Sequence, residues 1–446
     1  PPPPMPSRSR VAVIGAGAAG LAAARELRRE GHAPVVFERA AAVGGTWRYD
    51  SSLYASLRTN LPRESMGFLD FPFVADEGSI DPRRFPGHPE VLRYLEEFAR
   101  RFDLLALVRF ETEVVSVRRG RNDGAGGAGW RVSYRSRRPD GAGGEPEEEV
   151  FDAVVVCNGH FTEPRVAAIA DVGIHCWPGK QMHSHSYRVP DPFRGQVVMV
   201  IGYQPSGMDI SRDIAGVAKE VHVAMRLEPP DQMHTTTATS HANLWLHSCT
   251  IEHAEEDGSL VFQDGSRIKA DVILHCTGYK YSFPFLGGDD DELASAISVD
   301  DNRVGLLYKH VFPPILAPHI SFIGLPFRTI PFLVFQLQSK WVAGVLSGRL
   351  ELPSQEAMMR DVDAFYSDME ARGCPKRRTH DLGQGYPFEY EDWVAERCGL
   401  GRMEGWRKDM FVATCKNLAD RPDSYRDEWD DDHLLPQAHQ DFAKHS

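Results

Sequence analysis

From Arg10 to Glu38 the chain reads RVAVIGAGAAGLAAARELRREGHAPVVFE, and few folds accept such a run. VAVIG has the continuous apolar character of a buried strand, LAAARELRRE is made of good helix formers, Gly31 stops the helix, and APVVFE returns to β character. Strand, tight turn, helix and strand make one βαβ unit. A second begins at QVVMVIG (196–202), passes through the helix-like MDISRDIAGVAKE and returns to strand at VHVAMR (221–226). The two lie about 190 residues apart.

Repeated βαβ units predict an α/β chain with two dinucleotide-binding, Rossmann-like domains. In the first turn, Gly15 permits the bend, Gly17 lets backbone amides approach a pyrophosphate, and Gly20 lets helix pack on strand, and Ala18 and Ala19 between them are expected at the cofactor too. Glu38, 23 residues after Gly15, stands where an acid accepts hydrogen bonds from a ribose diol and repels a 2′-phosphate. Gly44-Gly45-Thr46-Trp47 then resembles the second FAD contact of two-dinucleotide flavoproteins, although a turn with a core Trp is the plainer reading. Gly45, Thr46 and Trp47 are therefore expected at FAD. The second turn, Gly202-Tyr203-Gln204-Pro205-Ser206-Gly207, lacks the middle glycine and puts Gln204 where the backbone should meet phosphate, while Pro205 suits the first helical position. Arg226, 24 residues after Gly202, occupies the ribose-acid position, where a cation pairs with a 2′-phosphate or is simply a surface charge. The contrast between Glu38 and Arg226 predicts FAD in the first domain and NADPH in the second.

Between the turns, ETEVVSVRRG, WRVSYRSRR and EEEVFDAVVVCNG read as three strands joined by Gly-rich loops, with Glu147–Glu149 a solvated strand start. ADVILHCTGY follows a hairpin turning at Asp264-Gly265, and residues 88–102 have helical spacing. The last 26 residues, with their DEWDDD cluster, are expected as an acidic surface tail or docking segment. The 320–346 stretch is apolar but broken by Pro326, Arg328, Pro331, Gln336, Gln338 and Lys340, so no membrane span is expected.

With 50 Lys and Arg against 63 Asp and Glu the net charge is −13, which argues against nucleic acid as a partner. The seven cysteines are widely spaced without a C-x-x-C pair, which suits a reducing, cytoplasmic setting and offers neither a disulfide framework nor a redox dithiol. PPPPMPSRSR at the start lacks the apolar core of a signal peptide. His183 with His185, and His247 with Cys249, lack further ligands nearby in sequence, so no metal is expected.

Gly179, His183 and Tyr187 in WPGKQMHSHSYR match the F-x-G-x-x-x-H-x-x-x-[YF] linker motif of flavin-containing monooxygenases and related Baeyer–Villiger enzymes, with Trp177 in place of Phe. Asn158-Gly159 and Thr277-Gly278 resemble the two crossing segments between domains in that superfamily. The resemblance runs from residue 11 to about 400, and LRTNLPRE, NGHFTEP, HCTGYKYSFPFL, LYKHVF and QSKWVAGVLSGR look like the plant branch of glucosinolate S-oxygenases. It implies an FAD domain at 1–189 and 319–446, interrupted by an NADPH domain at 190–318. It also implies a flavin C4a-hydroperoxide, formed from NADPH-reduced FAD and O2, that a soft nucleophile attacks, with the protein positioning the reactants and excluding water. Asn60 matches the family's asparagine beside the flavin, the expected catalytic residue; capping a turn before Leu61-Pro62 is the alternative. Thr277 joins the cofactor-binding set by the same resemblance.

The expected activity is S-oxygenation of a small-molecule thioether, of methylthioalkyl glucosinolate or S-alk(en)yl-cysteine type. Amine N-oxygenation and uncoupled NADPH oxidation releasing hydrogen peroxide are the alternatives. A ketone oxygenase ranks lower because no arginine is assignable to activating a Criegee intermediate, and a disulfide reductase lacks its dithiol.

Overall fold

The computed structural model describes residues 8–49, 52–120, 129–137, 144–169, 177–203, 205–226, 236–287, 293, 296–383 and 388–445. The chain divides into two compact units, one comprising Pro1–Trp47, Thr59–His160 and Tyr281–Ser446, the other Arg48–Arg58 and Phe161–Lys280. The expected inserted domain, 190–318, shares residues 190–280 with the second unit.

In the first unit, strand β1 (Arg10–Ile14) lies at the centre of a five-stranded parallel sheet. It is flanked by β2 (Ala33–Phe37) and by Ala153–Val156, with Val108–Arg109 and Ile320–Phe322 at the edges. Val11, Ala12 and Val13 are fully buried, as a parallel sheet covered on both faces requires. Helix α1 (Ala18–Arg29) presents Ala19, Ala22 and Ala23 to the core, and such small side chains let a neighbouring helix come close. That neighbour is Pro331–Leu346, joined to α1 by Lys340 Nζ on Glu26 Oε2 at 3.0 Å. This helix is buried almost all round, so the apolar 320–346 stretch is core, and no described helix is long and apolar enough to cross a membrane. Helix His88–Arg101 forms as its spacing predicts.

The third expected strand of the central region is in fact two. Glu147–Phe151 completes an antiparallel sheet with Thr112–Arg119 and Trp130–Ser136, whereas Ala153–Val156 joins the parallel sheet. Asp152 sits at the break, and its carboxylate accepts the Arg10 backbone N–H at 2.6 Å. Nor is the glutamate run merely solvated: Glu148 pairs with Arg118 and Arg131 at 2.9 and 2.8 Å. Most of the Gly-rich loop residues, 121–128 and 138–143, lie outside the described residues.

The second unit holds a six-stranded sheet in which Lys180–His183, Val272–His275, Val197–Ile201, Glu220–Ala224 and Leu244–His247 run parallel and Thr236–Ala238 adds an antiparallel edge. Its crossover helix, Ser206–Ala215, is capped by Gly216, so the helical pattern ends short of Lys219. Pro205 is the N-cap rather than the first helical residue. The hairpin Ser259–Phe262 to Arg267–Lys269 turns at Asp264-Gly265, Gly265 taking φ +83°.

The carboxy-terminal residues are not an acidic surface tail. Leu434, Ala438 and Phe442 lie at helical spacing and close a small core on Trp406 and Met410. Asp431, 3% exposed, receives a bidentate pair from the buried Arg84. The acidic composition hid both the apolar stripe and the partner.

Candidate cofactor sites

The first glycine turn is shaped by backbone contact. Gly15 takes φ +103°, and a Cβ there would stand 2.6 Å from the Cys157 carbonyl oxygen. One on Gly20 would overlap the Gly15 carbonyl oxygen and lie 2.9 Å from its carbon, so α1 rests directly on the turn. Gly17 differs: its Cβ would make ordinary contact with Gly45 Cα at 3.5 Å. Packing therefore does not demand glycine at 17, whereas close approach of a phosphate to the helix start does. Gly45, at φ +54°, faces Gly17, and the Gly44 N–H donates to Ala16 O at 3.1 Å, so the two turns form one cradle. Thr46 and Trp47 follow in a short 3₁₀ turn, the Trp47 ring meeting Phe332 edge-on at 6.4 Å. Ala18 and Ala19, nearly buried, begin the helix.

Glu38, 7% exposed, closes the cradle: its carboxylate accepts the Ala16 N–H at 2.7 Å and the Ala40 N–H at 2.8 Å. Each oxygen retains a second lone pair for a ribose hydroxyl. The donor turn, the open Gly17 face and the buried acid fit FAD.

The second unit repeats the device. Gly202 takes φ +92° with its Cβ position 2.5 Å from the Cys276 carbonyl oxygen, and a Cβ on Gly207 would overlap the Gly202 carbonyl oxygen. Cys157-Asn158-Gly159 and Cys276-Thr277-Gly278 thus occupy equivalent places, each after the strand beside the glycine turn, and burial pushes both thiols up, Cys276 to about 12. Ser206 starts the crossover helix. Gln204 lies outside the described residues. Arg226 is exposed, two residues past the strand Glu220–Ala224, after the ladder is extended by the Met225 N–H to His247 O at 2.8 Å. The Thr277 hydroxyl donates to Arg165 O, a bond that joins two segments of the second unit.

The linker motif has a physical reading. The Trp177 ring covers Gly179, where any side chain would collide with it. His183 Nδ1 accepts the His185 N–H at 3.0 Å, which leaves the proton on Nε2 to donate to Gly278 O at 3.0 Å. Burial lowers the basicity of this ring. Tyr187 donates to Asp213 Oδ2 at 2.6 Å. Through these two bonds His183 ties local segments together, and no group of three or more His, Cys, Asp or Glu gathers for a metal among the described residues.

Asn60 is exposed in the first unit on a loop fixed by the Thr59 N–H to Pro86 O at 2.9 Å and the Arg63 N–H to Arg84 O at 2.8 Å. Its Oδ1 accepts from Arg426 Nη2 at 2.6 Å and from the Tyr425 hydroxyl at 3.3 Å. Sequence reading missed both partners, 366 and 365 residues away, for nothing local marks them.

Residues 8–228 and 244–395 match the family described as Flavin-binding monooxygenase-like. The chain belongs to that family. It is 55% identical to flavin-containing monooxygenase FMO GS-OX-like 2 of Arabidopsis thaliana, over 99% of this chain and 96% of that protein. S-allyl-L-cysteine S-oxygenase from Allium sativum is 52% identical, with a TM-score of 0.90 covering 99% of this chain and 100% of that one. Tmm from Pelagibacter sp. strain HTCC7211 shares the fold at 23% identity, with a TM-score of 0.76 over 94% and 93% of the two chains. This flavin monooxygenase is therefore an enzyme whose flavin chemistry is common to its family.

Proposed function

We propose that this flavin monooxygenase uses NADPH and O2 to convert a small thioether to its sulfoxide, the second oxygen atom leaving as water. The observation that carries this reading is the end-to-end likeness to an S-oxygenase, at 52% identity and a TM-score of 0.90. Bound FAD, once reduced by NADPH, supplies the activated oxygen atom that a nucleophilic sulfur takes up.

The chain's own residues then have separable tasks. Gly15, Gly17 and Gly20 with Gly45, Thr46 and Trp47 hold FAD, and Glu38 accepts from its ribose. Gly202, Ser206 and Gly207 receive the NADPH pyrophosphate, while Arg226, exposed just past a strand end, pairs with the 2′-phosphate. Asn60 offers an amide donor beside the reacting oxygen.

A panel of an S-alk(en)yl cysteine, a methylthioalkyl glucosinolate and a tertiary amine, incubated with NADPH under isotopically labelled O2, tests the reading. Label in a sulfoxide is expected. Label only in an N-oxide, or NADPH consumption matched by hydrogen peroxide without any oxygenated product, overturns it.

A further inference from the structure

Asn60 and Arg426 are 366 residues apart yet lie in one compact unit, and their geometry settles which end of the asparagine amide faces outward. A guanidinium carries donors and no acceptor. The amide atom 2.6 Å from Arg426 Nη2 must therefore be the oxygen. The Tyr425 hydroxyl, at 3.3 Å from the same oxygen, agrees with that orientation. Oδ1 is thus engaged twice, and the amide nitrogen makes no hydrogen bond among the described residues.

The holding segment is itself firmly anchored. Arg426 Nε donates to Thr59 O at 2.9 Å, so one guanidinium grips both the backbone and the side chain of the loop. Tyr425, 2% exposed, packs edge-on against Phe85 at 5.8 Å. Six residues after Tyr425, Asp431 pairs with Arg84, whose guanidinium lies 5.1 Å from the Trp429 ring. Arg407, 2% exposed, donates to Ser65 O at 2.7 Å just beyond the loop. A chain end with four such attachments is built to hold something in register.

We propose that Arg426, aided by Tyr425, is a positioning residue that makes Asn60 a one-way hydrogen-bond donor toward the reacting oxygen. A freely rotating amide would present its carbonyl oxygen about as readily as its nitrogen, and the carbonyl repels a developing negative oxygen. Locking it removes that unproductive state. The inference rests on the proposed role of Asn60, and its test separates the two.

Four variants are compared: Asn60→Ala, Arg426→Ala, Arg426→Lys and Tyr425→Phe. Hydrogen peroxide released per NADPH oxidised is measured with a thioether present, alongside the anaerobic rate of flavin reduction by NADPH. Arg426→Ala is expected to raise peroxide leakage about tenfold, the order set by losing one charge-assisted hydrogen bond, with flavin reduction unchanged. Lys, which also only donates, should restore most of the coupling, and Tyr425→Phe should fall between. A second readout needs no cofactor: in apoprotein, the side-chain amide NMR signals of Asn60, identified by their loss in Asn60→Ala, should shift and broaden in Arg426→Ala but not in Arg426→Lys. If Asn60→Ala leaks while Arg426→Ala stays coupled with sharp Asn60 signals, the positioning claim is overturned and Asn60 keeps its role. If Asn60→Ala itself stays coupled, Asn60 and Arg426 both leave the oxygen chemistry.

Discussion

Two alanine substitutions three residues apart in the first glycine turn should fail in opposite ways. At Gly20 the added methyl would overlap the Gly15 carbonyl oxygen and come within 2.9 Å of its carbon. Both are backbone atoms at the floor of the turn, so α1 must lift away. Overpacking of this kind costs about 3 kcal/mol, enough to lower the melting midpoint of an apoprotein of this size by roughly 3–5 °C. At Gly17 the methyl meets Gly45 Cα at 3.5 Å and Gly45 N at 3.9 Å, ordinary contacts, and the backbone, φ −74° and ψ −173°, is open to any L-residue. The apoprotein should therefore melt within about 2 °C of the parent. In the proposed FAD site the same methyl would stand between the helix start and the pyrophosphate, so the dissociation constant for FAD should rise on the order of tenfold to a hundredfold. Thermal scans of both apoproteins and titration with FAD, followed by quenching of flavin fluorescence, read the two effects separately. A Gly17→Ala protein that binds FAD like the parent, or a Gly20→Ala apoprotein that melts with it, would refute the reasoning from backbone proximity.

Three further outcomes follow from other residues. Arg226→Ala should raise the KM for NADPH about tenfold or more while leaving that for NADH little changed; steady-state kinetics showing equal effects would remove Arg226 from the 2′-phosphate. Glu391 is fully buried, and desolvation pushes its carboxyl up to about 7, above the ordinary value of 4.5. The folded chain then holds a proton that the unfolded chain releases, so stability falls as pH rises from about 4.5 through about 7, by on the order of 3 kcal/mol. Glu391→Gln should accordingly raise the melting midpoint at pH 8 and leave it near the parent's at pH 5, whereas an equal shift at both would exclude this titration. Tyr187→Phe, which deletes the 2.6 Å bond to Asp213, should cost about 2 kcal/mol by denaturant melting, and a neutral result would mean that water replaces the phenol.

The glycine turns were legible because their logic is local: within the 29 residues Arg10–Glu38 and the 31 residues Gln196–Arg226 the sequence shows the strand, the bend, the helix and the acid or base at the next strand end. The bond between His183 and His185 is as local, two residues apart, yet the spacing alone did not mark it. The grip of Arg426 on Asn60 and of Arg84 on Asp431 leaves no such trace, for pairs 366 and 347 residues apart have no periodicity. Asp152 split an expected strand because a single side chain bonding to Arg10 outweighed a continuous β pattern on either side of it. In DEWDDD, counting charges said nothing about which of them an arginine would bury.

The first parallel sheet is assembled from Arg10–Ile14, Ala153–Val156 and Ile320–Phe322, and α1 rests on a helix that ends at Leu346. All strands of the six-stranded sheet, in contrast, fall between Lys180 and His275. During synthesis, then, the order of completion reverses the order of the chain. Once residue 300 has emerged from the ribosome, every strand of the later sheet is out. The first glycine turn, which emerges before that sheet, still waits for its edge strand Ile320–Phe322 and its supporting helix Pro331–Leu346.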